Sequence, residues 1–357
     1  MGEVLGVGIS HYPLFSATDR DMAMILRDTL ADPDIPPEEK DPKNWPPEMA
    51  REWGTDEGTS AAKEHRAAML VGLRRVREAL DAFRPDVVVI WGDDQYENFH
   101  EDLVPAFCIG AYERFAVKPW AQVKASGLMQ GKPNVWNEPA DTEFIIPAHR
   151  EAGKYLAAGL LTQGFDVAYA YKQLHHPGLP HAFLNAVLYL DFDRRGFPYP
   201  IVPFQINCYG RKVISYRGYA SRFADAGRPP DPPSPSPARC FDLGAATARV
   251  ARESPWRVAL VASSSWSHAF LVDKTWRLRP DIESDRRLYD AMVANDLAVW
   301  RNVSLSQLED AGQQEMLNWF ALIGAMHELG RRCIWSDKVE THVFNSTKVA
   351  AIFEIST

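Results

Sequence analysis

Four short stretches of the chain concentrate residue types that do chemistry. They are Ser10-His11-Tyr12-Pro13, the polar run from Gly92 to His100, the segment Leu174 to His181, and the span from Ser263 to Glu283. Three of the ten histidines fall within residues 175–181. Histidine and carboxylate in company suit a first-row metal site or an acid–base site. Each residue also has a plainer use. A single His11 after a strand commonly makes a structural hydrogen bond. Asp93-Asp94 suits a turn or helix cap. Glu283 suits the first turn of a helix, where the dipole favours a negative charge. No HExxH, P-loop or GxGxxG motif accompanies them, nor a GxSxG elbow.

The clusters sit where apolar runs stop. Val4 to Ser10 reads as a buried strand that delivers His11, and 86–91 (DVVVIW) reads as a second that delivers the Gly92–His100 run. Residues beyond the carboxyl ends of such strands line crevices in α/β sheets. Between them, Met69, Leu73, Val76, Leu80 and Phe83 recur at helical spacing. Further strands are expected at 107–110, 165–171, 201–207, 257–262 and 348–355. Helices are expected at 147–161, 181–190, 241–251, 285–300 and 309–329. This alternation predicts an α/β fold with a central mixed sheet flanked by helices. It also predicts one domain over 1–357, with insertions near 31–58 and 209–240. Six prolines between 33 and 47 forbid a continuous helix in the first insertion, which suits either a binding loop or a solvated excursion. The proline run from 229 to 237 reads as a surface loop.

Composition excludes several classes. The net charge is −8 with no basic block, which disfavours nucleic acid as a partner. The longest apolar run is far below the ~20 residues of a membrane helix. The four cysteines, Cys108, Cys208, Cys240 and Cys333, form no CxxC pair, and no signal peptide is evident at the start. A cytoplasmic protein with neither disulfide framework nor zinc ribbon is expected.

Taken in order, the clusters resemble the class III extradiol ring-cleaving dioxygenases, the group that includes the protocatechuate 4,5-dioxygenase catalytic chain. The resemblance runs through His11, then 86–90 with its polar turn, Phe99, Val104-Pro105 and 107–110. It continues through His175-His176 with Gly178-Leu179, the strand 202–207, Ser267-His268 and Glu283. A segment like Ala311 to Glu315 with Trp319 also closes family members. The resemblance implies an Fe(II) site in which His11 is the first histidine ligand and Glu283 the carboxylate. His176 matches the acid–base histidine best, with His175 and His181 as competitors. Where the family has its second histidine ligand this chain has Gln95, an amide and therefore a weaker donor. Three accounts stay open: Gln95 binds the metal, Asp94 or His100 replaces it, or the iron is lost. Asp93 and Asp94 keep the pocket negative in each case.

By the same resemblance the activity would be ring opening, by O2, of an aromatic compound bearing adjacent oxygen, or oxygen and nitrogen, donors. Tyr12 and His268 would orient ligands or substrate, with a core hydrogen bond as the competing use of His268. Trp45, Trp53, Trp266 and Trp276 would stack on the ring or pack the core. A homo-oligomer is expected from the family's habit. The rival readings are a non-redox metal hydrolase or decarboxylase of a cyclic substrate, and a non-catalytic binding relative.

Overall fold

The computed structural model describes residues 2–121, 129–217 and 229–355. Ten strands are present among these residues. They are β1 (Val4–Ile9), β2 (Val87–Gly92), β3 (Phe107–Gly110), β4 (Arg114–Val117), β5 (Phe144–Pro147), β6 (Ala168–Ala170), β7 (Ile201–Ile206), β8 (Val258–Ser263), β9 (Cys333–Val339) and β10 (Lys348–Phe353). Eight of them form one sheet in the order β6-β3-β7-β2-β8-β1-β10-β9, while β4 and β5 pair separately. The central four, β7-β2-β8-β1, are mutually parallel. β3 and β10 join them antiparallel, so the sheet is mixed, as expected.

The central strands are buried along their whole length, which is why they read as continuous apolar runs. Six long helices flank the sheet: α1 (Thr59–Phe83), α2 (Arg150–Thr162), α3 (His181–Leu190), α4 (Pro237–Glu253), α5 (Ile282–Val293) and α6 (Leu317–Glu328). Pro237 opens α4 at its first turn, with Ser236 accepting the Arg239 N–H, so the proline run ends as a helix start. The first part of the insertion at 209–240 is described to residue 217, and residues 218–228 lie outside the described residues.

Two close approaches fix the position of α6. A side chain at Gly244 of α4 would meet the Ala321 backbone, and one at Gly324 of α6 would meet the Phe241 backbone. The two helices therefore touch main chain to main chain. On the sheet side, the ring of Trp319 fills the space above Gly8 of β1, and its indole N–H donates to the Ser264 carbonyl at 3.0 Å.

Residues 31–58 contain no continuous helix, only short helical segments such as Pro37–Lys40 and Pro47–Trp53. Most of the stretch is exposed or half-buried, but it is anchored to the rest of the chain. Trp45 and Trp53 are buried edge-to-face against each other at 5.8 Å, and Glu52 accepts the backbone N–H groups of His342 and Val343. Trp266 is likewise buried, among Trp300, Trp319 and Tyr289. Strands β4, β5 and β9 have no counterpart among the expected elements. β4 and β9 carry charged residues and lack the apolar run that marks the central strands, while β5 is only four residues long and half-exposed. The four cysteines are free, and among the described residues no helix is long and apolar enough to cross a membrane.

Candidate metal centre

The site forms where the parallel strands end. His11 follows β1 by two residues, and Asp93 follows β2 directly. Tyr209 lies just past β7, and Ser263 closes β8. His181 is the first residue of α3. Glu315 comes from the 3-10 turn Gln314–Met316 that leads into α6, so the glycine contacts behind α6 set its position.

His11 is buried. Its Nδ1 lies 2.8 Å from the Ser263 carbonyl oxygen, an acceptor that places the ring proton on Nδ1 and leaves Nε2 with its lone pair. Burial holds its pKa well below the ordinary histidine value, with the neighbouring His181 adding to that. Three groups surround it: the Asp93 carboxylate at 3.9 Å from Nε2, the Glu315 carboxylate at 3.5 Å, and the His181 ring at 5.0 Å between centroids. One donor atom each from His11, Asp93 and His181 lies within 4.8 Å of the others, the spacing of a metal-binding trio.

The carboxylates are the informative members. Asp93 is fully buried, and among the described residues neither of its oxygens has a hydrogen-bond partner. Glu315 Oε1 accepts from the Tyr209 hydroxyl at 2.6 Å and from Gln95 Nε2 at 3.1 Å, and sits 3.2 Å from His268 Nε2. Its other oxygen, Oε2, has no hydrogen-bond partner among the described residues and faces His11. Burial pushes Asp93 up to about 6 and raises Glu315 well above the carboxylate range, with Asp93 itself raising Glu315 further. Buried carboxylates are stable when they are paired or bound to a cation. Burial alone would lower His181, but Glu97 and then Asp93 outweigh it and push it to about 10. A divalent cation bound by these atoms would take the place of the His181 Nε2 proton. The donor set of two imidazoles and two carboxylates thus fits a first-row divalent metal.

Several expected site residues stand elsewhere. Glu283 is exposed at the start of α5, because the helix turns that position outward while Ile282 and Asp285 face in. The carboxylate beside His11 is Glu315, part of the segment the resemblance singled out but not assigned a role. Gln95 reaches the site, yet it donates to Glu315 and Tyr209. Asp94 accepts the N–H groups of Glu97, Asn98 and Phe99 and builds the turn. His100 stacks between Tyr96 and His175, and His175 turns outward to Asp102 at 3.0 Å. His176 is partly buried, 3.9 Å from Glu97 Oε1. The Tyr12 hydroxyl is spent on the Met22 carbonyl at 2.7 Å. His268 joins the site through Glu315. A cavity of about 730 Å³ opens elsewhere, lined by Glu48, Glu52, His65 and His342, and includes no residue of this centre.

Comparison with known proteins adds a second line. No family model matches the chain. Curated relatives do. One from Paraburkholderia phymatum is 29% identical over 195 residues, 55% of this chain and 47% of that protein, and is named 2,3-dihydroxyphenylpropionate/2,3-dihydroxicinnamic acid 1,2-dioxygenase. Proteins of the same name match from Burkholderia vietnamiensis, at 29% identity over 195 residues (55% of this chain, 47% of that protein), and from a Rhodococcus species. The Rhodococcus match is 24% identical and spans 70% of this chain and 78% of that protein. A bond between ring carbons 1 and 2, beside hydroxyls on 2 and 3, lies outside the diol. This chain is related to extradiol dioxygenases. The match to the first of these relatives spans about half of their length. An uncharacterized Escherichia coli protein of solved structure aligns over 80% of this chain and 91% of its own, with a TM-score of 0.44 and 13% identity.

Proposed function

We propose that this chain is a metal-dependent extradiol-type dioxygenase acting on a small aromatic compound with adjacent oxygen donors. The observation that carries the reading is that Asp93 and Glu315 Oε2, which have no hydrogen-bond partner among the described residues, face the Nε2 of a buried His11 at the ends of parallel strands. His11, His181 and Asp93 would hold the metal, with Glu315 beside them. Iron(II) bound there would offer open positions to the diol and O2 and would lower the pKa of a bound hydroxyl. The protein supplies the rest. Ser263 orients His11, and Tyr209, Gln95 and His268 fix one oxygen of Glu315 so that the other faces inward. His176 would take a proton from the substrate and return it, and Asn98 Oδ1 accepts its backbone N–H.

One observation favours a second reading. Two carboxylates and two histidines form a fuller donor set than the two-histidine, one-carboxylate arrangement of oxygen-activating iron. With zinc, three of these groups as ligands and Glu315 as general base would make a hydrolytic site. Metal analysis of protein purified without oxygen separates the two. About one iron per chain, with O2 uptake on adding a catechol, is the expected result. Stoichiometric zinc and no O2 uptake would establish the second reading, and no bound metal would end both.

A further inference from the structure

We propose that Glu97 is a positioning residue that fixes which nitrogen of His181 faces the metal site and ties that ligand to His176. The proposal deepens the metal reading above and rests on it. Helix α3 begins at His181 behind Pro180, and Pro180 supplies no side-chain cap. The orphan N–H of His181 is accepted instead by Glu97 Oε1 at 3.0 Å. The second oxygen, Oε2, lies 2.7 Å from His181 Nδ1. An ionised carboxylate only accepts, so Nδ1 carries a proton and Nε2 is the atom left for a cation.

His176 is set the opposite way. Its Nδ1 accepts the Gly178 N–H at 3.1 Å, which puts the proton of the neutral ring on Nε2, 3.9 Å from Glu97 Oε1. One carboxylate therefore faces two histidines in opposite tautomers. Glu97 is itself placed by the turn around Asp94, whose carboxylate accepts its N–H at 3.0 Å. Asn98 in the same turn accepts the N–H groups of Leu174 and His175, so the loop carrying both histidines is fastened to the loop carrying Asp93.

The test compares Glu97→Gln and Glu97→Asp with the unaltered protein, using Co(II) as the probe, with affinity from chelator competition and the visible spectrum. Glutamine keeps the length and can still accept the His181 N–H, but its amide cannot satisfy both that N–H and the Nδ1 proton as a carboxylate does. The expected result is a loss of about 10- to 100-fold in Co(II) affinity for Glu97→Gln, the size typical of such orienting partners. Glu97→Asp, shorter but still anionic, should bind better than Glu97→Gln. Thermal melts check that the variants are folded. If Glu97 only caps the helix, Glu97→Gln would match the unaltered protein and bind at least as well as Glu97→Asp, which overturns the proposal. If the unaltered protein itself binds no Co(II), Fe(II) or Zn(II), the metal reading fails and takes this proposal with it.

Discussion

Glu315 Oε2 faces His11 Nε2 across 3.5 Å, with no hydrogen bond to either atom from elsewhere among the described residues. The carboxylate comes from a turn in the connection between β8 and β9, and the imidazole from just past the end of the first strand. Their meeting depends on how closely α6 lies on β1.

The first prediction concerns which glutamate matters. Glu315→Gln preserves shape and removes the charge, and it should reduce metal content to a small fraction of that of the unaltered protein. Glu283→Ala should leave metal content unchanged and alter stability by no more than about 0.5 kcal/mol, as exposed positions do. Elemental analysis of both variants checks this, and a metal-free Glu283→Ala protein would restore Glu283 as the ligand.

Gln95 acts through Glu315 in this geometry, as a donor to Oε1 at 3.1 Å. Gln95→Glu replaces that donor by a second acceptor of like charge. Iron affinity should fall by about tenfold or more, comparable with the loss of an orienting group. Affinity measured by chelator competition decides it. Tighter binding would instead mean that position 95 reaches the metal directly.

Asp285 gives a pH dependence of stability. Burial pushes its carboxyl up to about 7, although it accepts the Ser267 N–H at 3.0 Å and Gln313 Nε2 at 2.7 Å. The native protein therefore keeps a proton that the unfolded chain releases near pH ~4. This group's contribution is full below that pH and is lost as pH rises through about 7. Asp285→Asn keeps an acceptor and cannot ionise. Its melting temperature should gain on that of the unaltered protein between pH 4 and pH 8. Parallel curves across that range would remove Asp285 as the cause.

The α4–α6 contact should tolerate no side chain. Gly324→Val places methyl groups against the Phe241 backbone, and Gly244→Val does the same at Ala321. Each should destabilise by about 3 kcal/mol, at the upper end for overpacking a filled core. Urea midpoints measure the loss. The variants should also bind metal more weakly, because α6 carries Glu315, and a stability loss with unchanged metal affinity would separate the two effects.

The sequence by itself determined the α/β class, the central strands and the helices whose apolar spacing is regular. Val87 to Ile90 read as a buried strand because four consecutive β-branched residues suit a strand covered on both faces. His11, Asp93 and the 175–181 cluster were legible for the same reason, since polar residues that interrupt such runs fall at strand ends. Only the tertiary structure decided which of them meet. Glu283 and Glu315 are both glutamates beside helix starts, and local pattern does not distinguish them. What separates them is the packing of α6 against α4 through Gly244 and Gly324 and against the sheet through Gly8; Glu315 is buried and Glu283 is exposed. The positions of His175, His176 and His181 were likewise set by long-range partners. Asp102 draws His175 outward, while Glu97 turns His181 toward Asp93. Hydrogen bonds between residues far apart in the chain leave no mark in local composition, so that part of the site became readable only once the chain was folded.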